Sequence, residues 1–506
     1  MISNKFLFTW FLIAFFLALT VNELNLYFVE KSSSSSSQTP TAKTVYGYTI
    51  TNVDNYWYVN QMKNFMEGKG FTVDPSIPHY DVRRSPGYPL FFGLHHAVFG
   101  ERYSYFFIRY TQLLMYALSV VLLGLFVFNL TANEAWARWT IRLFAACPFL
   151  AINCYYTITE AISISLIIYT AYLFSAAIKR DGYYRYLVAG LCTGIMILTR
   201  PVAGILIPAL LAASAYHHRN DLAGFIRKTA LYCVGIAAIM SPWIIRNYMV
   251  TKGELIVFEK YYNESPMEYG KGQYYFQSWI SCWSNETVDY TAVVVSNKLQ
   301  FFSQKVEERE RVIDDYINKL PPYMNKINDT NAIHDAVRSL GNCFTYKDSI
   351  FKNNLLVSKE LVPVCEEEVK AKFVSLKEEF IKKAPLRYYL ITPMISFKEM
   401  VMNSASNAYG SLNPEGRKFN SFQILIKGLM YLLNVALYLS LFVFLFSRKA
   451  PMLIRIIVLL FSLATIVFFV GIIRYSELRY MLPIFPFLYI SLAYHIQKIK
   501  FLKRIN

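Results

Sequence analysis

"SYFFIRYTQLLMYALSVVLLGLFVFN", Ser104 to Asn129, decides the fold class of this chain. Its 26 residues carry a single charge, Arg109. A helix rising 1.5 Å per residue needs about 20 apolar residues to cross the hydrocarbon core of a bilayer. The stretch therefore reads as a transmembrane helix. Comparable apolar runs recur along the 506 residues, and about ten spans are expected: 5–22, 104–129, 135–153, 160–178, 184–199, 201–216, 228–246, 421–446, 451–473 and 480–496. Arg200–Pro201 is either a hairpin tip between the fifth and sixth spans or a kink in one longer element.

Composition agrees. The chain is 55% hydrophobic and 17% aromatic, against about 45–50% apolar for soluble domains. A net charge of +17 would suit a nucleic-acid binder, but the basic residues fall in short clusters between apolar runs. They are Lys179–Arg180 with Arg185, Arg219 with Arg227–Lys228, Arg448–Lys449, and Lys498, Lys500, Lys503 and Arg504. Placed on one side of the membrane, they put both termini in the cytoplasm and leave nucleic acid without a binding face. The first apolar run lacks a small-residue cleavage site before "VNELNLYF" and is kept as a span.

The expected organisation follows. Residues 1–246 form an N-terminal transmembrane module with a first outer loop at 24–103, 247–420 is an extracytoplasmic segment, and 421–506 holds the C-terminal spans. The first loop opens on "KSSSSSSQTPTAK", too polar to join a core. In the second, "SNKLQFFSQKVEERERVIDDYINKL" has the spacing of one amphipathic helix. Cys147, Cys154, Cys192 and Cys233 read as small core residues. Cys282, Cys343 and Cys365 lie outside and fit no zinc spacing, and an odd number leaves the pairing of any disulfide open.

The first outer loop carries more chemistry than a connection needs. In "TNVDNYWYVNQMKNFMEGKGF", Asp54, Tyr58 and Gln61 share one helical face, and Gly68 and Gly70 stand where a C-cap belongs. Asp54 is either a helix N-cap or a general base at the membrane surface. Arginines gather at outer span ends although positive charge is depleted there: Arg83, Arg84, Arg200, Arg246, Arg474 and Arg479. One alone is a headgroup anchor, whereas several converging suit phosphate, whose oxygens match the guanidinium fork. Glu160, in "YYTITEAIS", is a second outer acid or a helix-terminal residue favoured by the dipole.

In order, "VDNYWYVNQMKNFMEGKGF", "RRSPGYPLFFGLHHAVFG", "TEAIS", "GLCTGIMILTRPVAGILIP", "SPWIIRNYMVTKGE" and "ELRYMLPIFPFLY" occupy nearly the whole chain. Taken together they resemble the polytopic GT-C glycosyltransferases that use polyprenyl-phosphate sugars, the protein O-mannosyltransferase-like and lipid A aminoarabinose transferase-like groups. The resemblance implies an all-α polytopic membrane protein, a GT-C-like bundle of about ten transmembrane helices with outer juxtamembrane helices and a mixed extracytoplasmic segment. It implies that Asp54 and Glu160 are the catalytic acids, and that Arg84 faces the carrier phosphate. Glu477 and Arg479 would close the site, and Tyr58, Arg83, Arg200 and Arg246 would complete the substrate-binding set. The implied partners are a polyprenyl-phosphate-linked sugar, a glycan, lipid or protein acceptor, and membrane lipid. The implied place is the bacterial cytoplasmic (inner) membrane, with the site facing outward. A single Asp54 replaces the Asp-Glu pair of the O-mannosyltransferases, which counts against a protein acceptor of their kind. No cofactor is named by the resemblance; a divalent metal stays open, although Asp54 and Glu160 give no recognised metal spacing.

Two other functions share the topology. A lipid-linked sugar flippase would place ionisable residues or broken helices near the midplane, whereas here charges favour span ends apart from Arg109 and Arg142. A polysaccharide polymerase would carry arginines in its large outer loop, and 247–420 has few, scattered ones.

Overall fold

The computed structural model describes residues 2–33, 43–51, 53–73, 75, 84–250, 253, 255, 257–258, 270–284, 288–352, 364–404, 406, 409, 412, 420–474 and 478–499. Helix α1 (Asn4–Ser33) leads, past residues outside the described set that include most of the serine tract, to a hairpin of β1 (Lys43–Val45) and β2 (Thr49–Thr51). Then come α2 (Val53–Met66), α3 (Gly87–Thr131), α4 (Glu134–Ala145), α5 (Pro148–Ala151), α6 (Glu160–Arg180) and α7 (Tyr183–Thr199). α8 (Leu206–His217) and α9 (Leu222–Val250) complete the first part of the bundle.

The chain is an all-α polytopic membrane protein. Among the described residues six helices are long and apolar enough to cross a bilayer: Asn4–Lys31, Gly87–Thr131, Glu160–Arg180, Leu222–Val250, Ser421–Leu445 and Met452–Ile473. The other four expected segments are helical but shorter. Expected span 135–153 breaks where α4 stops at Ala145 and Pro148 starts a new turn. Residues 480–496 begin as the 3-10 turns Leu478–Tyr480 and Leu482–Ile484 before a 12-residue helix.

α3 is one helix only in outline. Gly100 has φ 72° and ψ 176°, so a juxtamembrane leg ends there and the apolar span begins beyond it. Arg200 leaves the helical region at φ −147° between α7 and the turn Pro201–Ile205. Tyr186, near the start of α7, lies 3.2 Å from His218 Nε2 just past α8, so the two helices form a hairpin with Arg200 at its tip. α7 lies against α9 through Gly190 and Gly194. A Cβ on Gly190 would stand 2.1 Å from the Tyr232 carbonyl oxygen, so only glycine permits that approach.

A helical layer outside the bundle, termed the outer layer, is built from α10 (Lys271–Ile280), α11 (Val288–Phe301), α12 (Val306–Asn318), α13 (Thr330–Lys352), α14 (Val364–Lys383) and α15 (Thr392–Val401). It has its own core, with Phe276, Trp279, Ile313, Val337, Phe373 and Phe380 buried together. The single amphipathic helix expected over 296–320 is two helices instead. Arg309 Nη1 and Thr345 Oγ1 both donate to the Ser303 carbonyl, at 3.0 and 2.6 Å, taking the acceptor that a continuous helix would use. Cys343 and Cys365 form a disulfide across α13 and α14, and Cys282 is a buried free thiol. Cys233 is not the core residue expected; it is exposed on α9. α16 (Ser421–Leu445), α17 (Met452–Ile466), its π-helical extension Val467–Ile473 and α18 (Phe485–Ile496) close the bundle.

Candidate active site

The ends of α6 and α7 meet at an ion pair. Arg200 Nη1 lies 2.8 Å from Glu160 Oε1, with both residues 8% exposed. Thr159 Oγ1 donates to the other carboxylate oxygen at 3.1 Å. Two buried opposite charges hold each other where either alone would be costly. Arg479 stands within electrostatic reach of the same carboxylate. The Arg200 and Arg479 guanidinium carbons lie 5.9 and 5.2 Å from the Tyr480 ring centroid, so both arginines border one aromatic face.

A third arginine enters from the segment before α3. Arg84 Nη1 donates to the Tyr58 hydroxyl at 3.1 Å, and its guanidinium lies 5.3 Å over the Tyr58 ring. One residue beyond Pro86 the chain touches the tip of α7. A Cβ on Gly87 would stand 2.5 Å from the Leu198 carbonyl oxygen and the Thr199 nitrogen. That contact brings "RSPG" beside Arg200. Tyr58 meets the buried Tyr88 edge to face at 5.7 Å, and the Tyr88 hydroxyl donates to Gln112 Oε1 at 3.1 Å. Gln112 Nε2 in turn donates to the Cys154 and Tyr156 carbonyls at 2.7 and 3.2 Å. A post of hydrogen bonds, completed by the Tyr88–Tyr58 ring contact, thus runs from the bundle to Tyr58 and Arg84.

α2 presents Tyr58 as expected, and Gly68 and Gly70, at φ 76° and 88°, terminate the helix. Asp54 is the second residue of α2, in its first turn and one helical turn before Tyr58, rather than at the N-cap; its side chain lies outside the described residues. Arg83 and Glu477 also lie outside them. Arg246 is engaged elsewhere: Nη2 donates to the Phe71 carbonyl at 3.4 Å, and its guanidinium packs on Trp243 at 5.0 Å. The structure thus joins Tyr58 with Arg84, and Glu160 with Arg200 and Arg479, while Arg246 pins the stretch just after α2.

Beside α2, Lys63 donates to Glu101 at 2.5 Å. Burial works against the ammonium, yet the Glu101 hydrogen bond and the interactions with Glu101 and Tyr105 together outweigh it and raise the lysine above its usual range. Among the described residues no group of three or more His, Cys, Asp or Glu is placed to hold a metal. Sequence reasoning passed over Tyr88 and Gln112. The amide inside an apolar span was the available signal, since a polar group there needs partners.

Residues 83–245 match the family described as dolichyl-phosphate-mannose-protein mannosyltransferase. Over that stretch the chain is similar to those enzymes. It contains Arg84, Glu160 and Arg200, and stops short of Arg246 and Arg479. Two solved structures of the Archaeoglobus fulgidus oligosaccharyltransferase also align with the chain. One is a complex with Zn and sulfate at 12% identity, the other is tethered to an acceptor peptide with an NVT sequon at 11%. Each alignment has a TM-score of 0.45, covering 98% of this chain and 50% of the other, so the chain spans about half the length of those proteins. No curated protein matches the chain.

Proposed function

We propose that this chain is a GT-C-type glycosyltransferase that moves a sugar from a polyprenyl-phosphate carrier to an acceptor on the outer face of the bacterial cytoplasmic membrane. The observation that carries the reading is the pair of neighbouring groups at one end of an apolar bundle: Arg84 with Tyr58, and Arg200 and Arg479 about Glu160 and Tyr480, linked where Gly87 touches the tip of α7. Guanidinium groups held partly out of water suit a phosphate whose charge grows during reaction. The family match over residues 83–245 supports the same class of donor.

In this mechanism the carrier tail lies among the spans with its phosphate against Arg84 and Arg479. An acceptor hydroxyl attacks C1 of the sugar and its proton passes to Asp54. The C1–O bond to phosphate breaks, the electron pair leaves with the polyprenyl phosphate, and the anomeric centre inverts. Glu160 is already neutralised by Arg200, so its part is to hold that arginine rather than to take a proton. The acceptor is a glycolipid, a polysaccharide or a protein.

The test uses the purified chain in vesicles with a panel of polyprenyl-phosphate sugars and envelope extracts as acceptor. One donor is consumed, and Asp54→Asn lowers turnover about 10²-fold or more with the protein still inserted. Near-parental turnover in Asp54→Asn removes Asp54 from the mechanism, and no transfer from any donor defeats the reading.

A further inference from the structure

Arg474 is one of the outer arginines that the proposed chemistry does not use. It closes the π-helical turn Val467–Ile473 in the left-handed region, at φ 62°. Residues other than glycine and asparagine seldom stay there unless their surroundings over-determine them.

The surroundings here are backbone carbonyls from three segments. Nε donates to Gly471 at 3.1 Å, Nη1 to Ser281 at 3.1 Å and Nη2 to Tyr388 at 2.7 Å. The guanidinium also lies 3.8 Å from the Tyr388 ring centroid, and the residue is 2% exposed. Among the described residues it pairs with no carboxylate, so three donors are spent on geometry rather than on charge neutralisation. Gly471 belongs to the end of the α17 run, Ser281 follows α10, and Tyr388 precedes α15. One side chain therefore ties the last long span to two points of the outer layer. Five and six residues later come Arg479 and Tyr480, which border Arg200. Tyr480 also stacks on Phe469, inside the same π-helical turn, at 5.0 Å.

We propose that Arg474 is a positioning residue for the phosphate clamp: by fixing the end of α17 against the outer layer, it sets where Arg479 and Tyr480 stand over Arg200 and Glu160. The inference rests on reading Arg479 as part of the donor site. It makes the outer layer a part of the site's geometry.

Asparagine tolerates left-handed backbone, so Arg474→Asn removes the guanidinium while sparing the turn. If Arg474 acts through Arg479, the two changes do not add. Arg479→Gln is expected to lower kcat/KM roughly 100-fold, Arg474→Asn roughly tenfold, and the pair roughly 100-fold. A pair near 1,000-fold overturns the inference, because a residue with a merely structural role would contribute independently. Arg474→Lys keeps the charge without the planar fork and recovers only part of the loss.

A second arm does not depend on transfer. A nitroxide at Arg479→Cys, in a chain carrying Cys192→Ser and Cys233→Ser, is expected to gain mobility when Arg474→Asn is added. An unchanged spectrum overturns the inference. Should Arg474→Asn fail to insert, Arg474→Lys takes its place in the same comparison. If the parent transfers no sugar while the nitroxide responds, the positioning stands and the functional reading falls.

Discussion

At the residue scale, the two arginines before Ser85 are the sharpest discriminators. Pro86 pushes Ser85 toward extended backbone, and an extended chain sends successive side chains to opposite sides. Arg84 meets Tyr58. A desolvated charge-assisted contact to phosphate contributes roughly 1.5–3 kcal/mol, an exposed arginine little. Arg84→Ala is therefore expected to lower kcat/KM by roughly ten- to a hundredfold, with Arg83→Ala within a few-fold of the parent. Arg84→Lys recovers part of the loss, since it keeps the charge and loses the fork. The assay is transfer from the purified donor. A damaging Arg83→Ala with a silent Arg84→Ala would put the loop's register off by one. Arg84 was legible because a proline and a glycine fix its local backbone. Arg474 was visible as an outer arginine, but its partners lie 193 and 86 residues away along the chain, and no local pattern names them.

Elements carry the site because their ends meet. Gly87 starts α3 on the backbone of Leu198 and Thr199, so Gly87→Ala forces α3 away from the tip of α7. Overpacking of this kind costs roughly 1–3 kcal/mol. The expected result is a lower unfolding temperature together with a fall in transfer beyond what lost folded protein explains, since Arg84 moves with α3. Equal losses in folded fraction and turnover would confine Gly87 to packing. The outer layer has a different staple. Closing about 20 residues, the Cys343–Cys365 bond restrains the unfolded chain by about 3 kcal/mol on the chain-entropy account. Cys343→Ser with Cys365→Ser should therefore speed limited proteolysis of residues 270–401, and resistance equal to the parent would show that the core around Trp279 and Phe373 suffices. Periodicity made most helices legible, including the Gly68 stop of α2. It failed over 296–320, where side chains on α12 and α13 capture the Ser303 carbonyl from outside the segment.

On the scale of the whole molecule, the question is which face of the membrane the site occupies. The basic clusters at Lys179–Arg180, Arg219 and Arg448–Lys449 would all sit on one side under the positive-inside rule. The helices are consistent with that alternation. Glu160 opens α6 at the site and Arg180 closes it at the opposite end, α7 returns to Arg200, and α8 runs back toward His218 and Arg219. Because the site lies at the end away from Arg180 and Arg219, orientation of the basic clusters orients the chemistry as well. Lys69, on the turn after α2, and Arg311, on the outer layer, are both exposed. In Lys69→Cys and Arg311→Cys chains, a charged membrane-impermeant maleimide is expected to label intact spheroplasts, while Arg219→Cys should label only after lysis. Background reaction at Cys233 is removed by Cys233→Ser. The reverse pattern would turn the bundle over and place Arg84, Arg200 and Arg479 in the cytoplasm. A transferase with a cytoplasmic site has soluble nucleotide sugars within reach, so the case for a lipid-phosphate donor would then lose its physical ground.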